Sequence, residues 1–135
     1  MPTAKGIYTG ALRTRNQHLQ SGQELVTDAP TDNQGLGEAF SPTDLLATSY
    51  ATCMITIMGI KARDKGLNLD GTTYQITKVM YADPRRVGEI HVALTIPDRN
   101  FTNRDRKVLE AIAHTCPVAL SIHPEIKKVV VFNWQ

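Results

Sequence analysis

The stretch SPTDLLATSYATCMITIM, residues 41–58, decides the fold. Ser41 suits a helix N-cap, Pro42 the first helical position, and Asp44 puts a carboxylate at the positive end of the helix. The pattern continues to about Lys65, and Gly66 is a natural stop. Between Leu45 and Ile60 no face of this helix carries a charge, and a helix apolar all round is normally buried on all sides. Thr48, Thr52 and Thr56 form a row of small side chains that would let another helix approach closely. A chain of 135 residues has few elements with which to enclose such a helix. A partner subunit related by two-fold symmetry is therefore expected to cover part of it.

Outward from this helix the chain reads as α+β. KGIYTGAL and RTRNQHLQ read as short strands, with Ser21-Gly22 as a tight turn into a third, QELVT. APTDNQGLGEAF, rich in Pro, Gly, Asn and Asp, reads as a loop. Beyond the helix, GTTYQITKVMYAD and EIHVALTIP form a hairpin around PRRVG. TNRDRKVLEAIAHT is an amphipathic helix with Val108, Leu109, Ile112 and Ala113 on one face. Pro117 disfavours helical geometry at Cys116, so a second, short helix should begin there, and EIKKVVVFNWQ closes the chain as a strand. The order points to one α+β domain over 1–135 with antiparallel pairing rather than an alternating parallel fold.

Composition removes several function classes. A net charge of +2 with no basic, aromatic-interleaved run gives no support for nucleic-acid binding. MPTAKGIYTG has no apolar core of a signal peptide, and CMITIMGI is far short of the ~20 apolar residues that span a bilayer. The expectation is a cytoplasmic protein with no membrane partner. Phosphate-cradling glycine motifs and GxSxG are absent, so nucleotide and serine-hydrolase chemistry lack support.

The remaining chemistry lies in two cysteines. In a reducing compartment Cys53 and Cys116 are inert core thiols, half of a metal site, or a reactive pair that cycles through a disulfide. Cys116 falls at a helix N-terminus, whose partial positive charge favours a thiolate. Cys53 lies about three turns into its helix and would be inert without a cation from elsewhere. Arg13 and Arg15, on one face of a strand, are the candidates, since guanidinium stays charged when desolvated. His18, His91, His114 and His123 give no paired-ligand spacing. A Cys53/Cys116/His114 metal cluster is poorly supported, and no metal or bound cofactor is expected. Arg85 and Arg86 fall in the hairpin turn, where a solvated pair is the default.

FSPTDLLATSYATC followed by an apolar helix, and later AHTCPVALSIHPE, resemble the two cysteine motifs of the OsmC/Ohr family of osmotically induced and organic-hydroperoxide-resistance proteins. The resemblance runs through nearly the whole chain, from YTGALRTRNQHLQSGQELVTDAP through GLG to the last strand, and is to the general OsmC-like branch. It implies antiparallel β-sheets wrapped around central helices in an intertwined homodimer. It also implies thiol-dependent reduction of organic hydroperoxides. Cys53 would be the peroxidatic thiolate and pass through a sulfenic acid, and Cys116 would resolve it as a disulfide. An external dithiol or lipoylated protein would then act as reductant. Arg13, 40 positions before Cys53, takes the family's thiolate-stabilising role, with Arg15 as fallback. Thr43 stands where the family's peroxidases commonly carry a Glu that orients the arginine. Either Asp44 or a loop acid such as Glu38 takes that role, or the arginine is less firmly held. The alternatives are a non-catalytic OsmC-like dimer that binds a small apolar ligand, and a redox sensor without turnover.

Overall fold

Alternating side chains and a glycine turn build the first sheet. Strands β1 (Ala4–Gly10), β2 (Arg13–His18) and β3 (Glu24–Asp28) pair antiparallel in the order β1-β2-β3. Gly22, at φ +77°, lets the chain reverse between β2 and β3, and its N–H bonds back to the His18 carbonyl at 2.8 Å. In the computed structural model, which describes residues 1–135, this sheet belongs to the first of two compact units, Met1–Leu46, and the second unit is Ala47–Gln135.

The first unit has little core of its own. Its buried residues are Thr27, Asp28 and Ser41, all polar, while Ile7 and Tyr8, on opposite faces of β1, are 62% and 63% exposed. After β3 comes the loop read from the sequence, which contains a single 3-10 turn at Thr31–Asn33.

Helix α1 (Pro42–Asp64) starts and stops as the sequence indicates. The Ser41 hydroxyl accepts from the Asp44 N–H at 3.1 Å, and the Asp44 carboxylate accepts from the Ser41 N–H at 2.9 Å, a reciprocal capping box. At the other end Gly66 adopts φ +68°, with Leu67 N–H bonded to the Ala62 carbonyl and Gly66 N–H to that of Arg63, a Schellman closure. Length and composition would allow α1 to cross a bilayer, a test that the core helix of a soluble protein also passes. One face is buried, through Ala47, Tyr50, Ala51, Met54, Met58 and Ala62. The opposite side is open, with Thr56 exposed and Ile60 57% exposed. The threonine row turns inward on its own helix: Thr52 and Thr56 hydroxyls donate to the Ser49 and Thr52 carbonyls.

The second unit holds the apolar core. Strands β4 (Thr73–Tyr81) and β5 (Arg86–Ile96) form the expected hairpin, although β5 starts at Arg86, inside the stretch read as a turn. Central β5 alternates cleanly, burying Ile90, Val92, Leu94 and Ile96 in one core with Met54, Met58 and Leu109. Burial of each such side chain contributes about 1.5–3 kcal/mol. Helices α2 (Asn103–Ala113) and α3 (Pro117–Ser121) precede β6 (Lys127–Trp134). The pairing is not antiparallel throughout: β6 runs parallel to β5, from Glu89↔Lys127 to Ile96↔Trp134. The α2–α3 crossover returns the chain to the end of the sheet where β5 began, and a parallel neighbour requires such a crossover. The fold is mixed α+β, with one antiparallel sheet and one mixed sheet.

Helix α2 rests on a capping box in which Thr102 Oγ1 accepts from the Asp105 N–H at 3.0 Å and Asp105 accepts from the Thr102 N–H at 3.1 Å. Thr102→Ala removes one half of it. It should destabilise the protein by about 1 kcal/mol and lower Tm by a few degrees in a thermal melt, whereas Thr102→Ser should stay within a few tenths of a kcal/mol.

Candidate active site

Helix α1 and the start of α3 bring the two thiols together. Cys53 projects from α1 and is half-buried, packed against the core, whereas Cys116 is fully buried. Both are free thiols and near neighbours, with Cys53 acting on the Cys116 thiol through its side chain. Cys116 is the N-cap of α3, with Pro117 behind it, and its sulfur accepts from the Ala119 N–H at 3.3 Å. The helix end expected to favour a thiolate there does not prevail. Burial pushes the Cys116 thiol up, the Ala119 N–H opposes this, and contact with Cys53 pushes it further up. A five-residue helix offers few aligned peptides, and desolvation of a fully buried sulfur outweighs them.

Beside this pair lies a group that sequence reasoning missed. Tyr50 precedes Cys53 by three residues on α1, so the two share one side of the helix. Tyr50 is fully buried and its hydroxyl has no hydrogen-bond partner. Burial, then the charge of Cys116, push the phenol up to about 12. Its side chain looks in the sequence like one more core aromatic; only its helical phase relative to Cys53 hints at more.

A second cluster forms within the first unit. The β2–β3 register sets Arg13 opposite Asp28, and Arg13 Nη2 lies 3.3 Å from Asp28 Oδ2. Arg13 also forms an ion pair with Glu38. Asp28 Oδ2 accepts the Glu38 N–H at 3.0 Å, so the buried carboxylate ties strand, arginine and loop together. The Glu38 N–H, then the Arg13 guanidinium, hold the Asp28 carboxyl below its ordinary value against burial, and the two acids raise Arg13 in turn, Glu38 first. Gly35 makes the loop possible: a Cβ there would lie 1.7 Å from the Ala29 carbonyl oxygen.

Of the two acids considered in place of the missing Glu, Glu38 is the one on Arg13. Asp44 is engaged in the α1 cap, and Thr43 Oγ1 lies 3.2 Å from Ser41 Oγ. Arg15 is exposed, opposite Ile7 and Val26. Asp28 was legible in principle, since a hairpin turning at Ser21-Gly22 that pairs Gln17 with Glu24 also pairs Arg13 with Asp28. His114 lies edge-on to Phe132, ring centroids 6.1 Å apart, and no group of three or more His, Cys, Asp or Glu side chains is placed to hold a metal ion.

Comparison with known proteins agrees with the fold. The family model described as OsmC-like protein matches residues 35–130. A crystal structure from Psychrobacter arcticus 273-4, provisionally assigned as an osmotic stress induced and detoxification response protein, is 56% identical. The match covers 98% of this chain and 96% of that one, with a TM-score of 0.94. An organic hydroperoxide resistance protein OsmC from Legionella pneumophila is 21% identical over 98% of each chain, with a TM-score of 0.72. An organic hydroperoxide resistance protein from Elizabethkingia anophelis is 16% identical over 100% of this chain and 98% of that one, with a TM-score of 0.71. At these last two identities the likeness is one of fold. No curated protein matches the chain.

Proposed function

Because the chain belongs to the OsmC-like protein family, we propose that it reduces organic hydroperoxides with the Cys53–Cys116 thiol pair. The observation that carries this reading is the contact between a half-buried thiol and a fully buried one. The Cys53 thiolate attacks the distal oxygen of the peroxide and the O–O bond breaks. An alkoxide leaves, to be protonated to the alcohol, and Cys53 becomes a sulfenic acid. The Cys116 sulfur then attacks the Cys53 sulfur, expels the sulfenic oxygen as water and closes a disulfide. A dithiol, free or lipoyl-borne, reduces that disulfide by two electrons and is itself oxidised to a cyclic disulfide.

Arg13 is the cation for the Cys53 thiolate in this reading, and Glu38 and Asp28 hold it in place. Their ion pairs with Arg13 support the assignment, because they answer the lack of Glu at position 43. The working form is a homodimer. Ile7 and Tyr8 on both faces of β1 and the open side of α1, with Ile60, are apolar surface that a second copy would cover. The reducing cytoplasm suits a dithiol-recycled pair.

Steady-state turnover tests the reading. Purified protein with cumene hydroperoxide should oxidise dihydrolipoamide catalytically, many equivalents per protein. Consumption that stops after one equivalent would leave a redox sensor, and no consumption would leave a non-catalytic dimer.

A further inference from the structure

We infer that the Tyr50 hydroxyl is a positioning group for the redox pair, donating a hydrogen bond to the Cys116 sulfur as it departs as a thiolate during reduction of the Cys53–Cys116 disulfide. This rests on the thiol-pair reading of the site. An unpartnered hydroxyl in a core is worse than the phenylalanine that would fill the same space, because its desolvation is not compensated. Tyr50 is such a group, fully buried and without a hydrogen-bond partner. Its presence points to a partner in another state of the site.

Cys116 is the group whose state changes. In the dithiol form its sulfur accepts the Ala119 N–H at 3.3 Å, with the Val118 N–H also turned to it, and neighbours Cys53. The groups electrically linked to it are Cys53 and Tyr50 from α1, with the backbone of Ala119 and Val118 from α3. During reduction, a thiolate of the external dithiol attacks the half-buried Cys53 sulfur, since Cys116 is fully buried. A new S–S bond forms at Cys53, the Cys53–Cys116 bond breaks, and its electron pair leaves on Cys116 as a thiolate. The second thiol of the dithiol then attacks the mixed disulfide, releases the Cys53 thiolate and closes the cyclic disulfide. The two protons lost by the dithiol end on Cys53 and Cys116. Negative charge on a fully buried sulfur needs donors, and Tyr50 supplies one beyond the backbone N–H groups of Ala119 and Val118. With its phenol pushed up to about 12, Tyr50 keeps its proton and acts as donor rather than base.

Tyr50→Phe tests this, with the disulfide preformed by diamide so that the experiment does not depend on peroxide consumption. Reduction of that disulfide by dihydrolipoamide, followed by stopped flow, should slow about tenfold, the scale of one hydrogen bond to a charged group. In a Cys53→Ser background, the same substitution should move the Cys116 ionisation, read from ultraviolet thiolate absorbance, to higher pH. The melting temperature of the reduced Tyr50→Phe protein should match or exceed that of wild type. Reduction at the wild-type rate, or an unmoved Cys116 ionisation, would overturn the proposal. A clearly lower melting temperature would also overturn it, because the hydroxyl would then already have a partner in the dithiol state. Failure of peroxide turnover with both shifts present would instead count against the peroxidase reading alone.

Discussion

Cys53→Ser should end peroxide consumption: with cumene hydroperoxide and dihydrolipoamide, the rate should fall roughly a thousandfold or more, to background. The serine hydroxyl is nearly isosteric but is neither acidic enough nor polarisable enough to attack an O–O bond, so no partial activity should survive. Cys116→Ser should behave differently. The first equivalent of peroxide should still react at close to the wild-type rate, because Cys53 retains its thiol. The product should then stop at a sulfenic acid, detectable as a dimedone adduct. The two variants separate attack from resolution. Equal loss of the first equivalent in both would mean that the roles assigned to the two thiols are wrong.

Arg13→Ala should lower kcat/KM for the hydroperoxide by about 10²–10³-fold, the range for removing one preorganised group that stabilises developing charge. The guanidinium is suited to this role because it is held by two acids at once, Asp28 from β3 and Glu38 from the loop. Lysine cannot reproduce that fork, so Arg13→Lys should recover only part of the activity. Glu38→Gln should fall between wild type and Arg13→Ala, because Asp28 still holds the arginine. The initial oxidation rate across a peroxide concentration series measures all three. A larger loss from Arg15→Ala than from Arg13→Ala would transfer the role to the neighbouring strand arginine.

Much of this was legible in the residues, for identifiable reasons. Local rules set the ends of α1, since Ser41, Pro42, Asp44 and Gly66 each act within a few positions of themselves. Pro117 marked the break before α3 in the same way. Glu38 was a candidate beside Asp44 only because the family resemblance left Thr43 where a Glu is common, and the structure separates the two, since Glu38 pairs with Arg13 and the helix cap engages Asp44. The parallel pairing of β6 was not legible. VVVF carries the same apolar pattern whichever way the strand runs, and only the path of the α2–α3 crossover fixes the direction. The electrostatics of Cys116 were misread for a similar reason. Its helix end is a local feature, whereas its complete burial is assembled from distant elements. Asp28 and Tyr50 needed, respectively, the hairpin register and the absence of any partner for a hydroxyl.

The central claim is that Cys53 and Cys116 act as one two-electron redox unit. The most direct measurement is a titration of fully reduced protein with cumene hydroperoxide, with free thiols counted and the intact mass recorded. Loss of two thiols per peroxide consumed, a mass lower by two hydrogens, and a Cys53–Cys116 cross-linked peptide after digestion are the results predicted. Peroxide that leaves both thiols free, or that adds oxygen to one of them without forming the cross-link, would contradict the account.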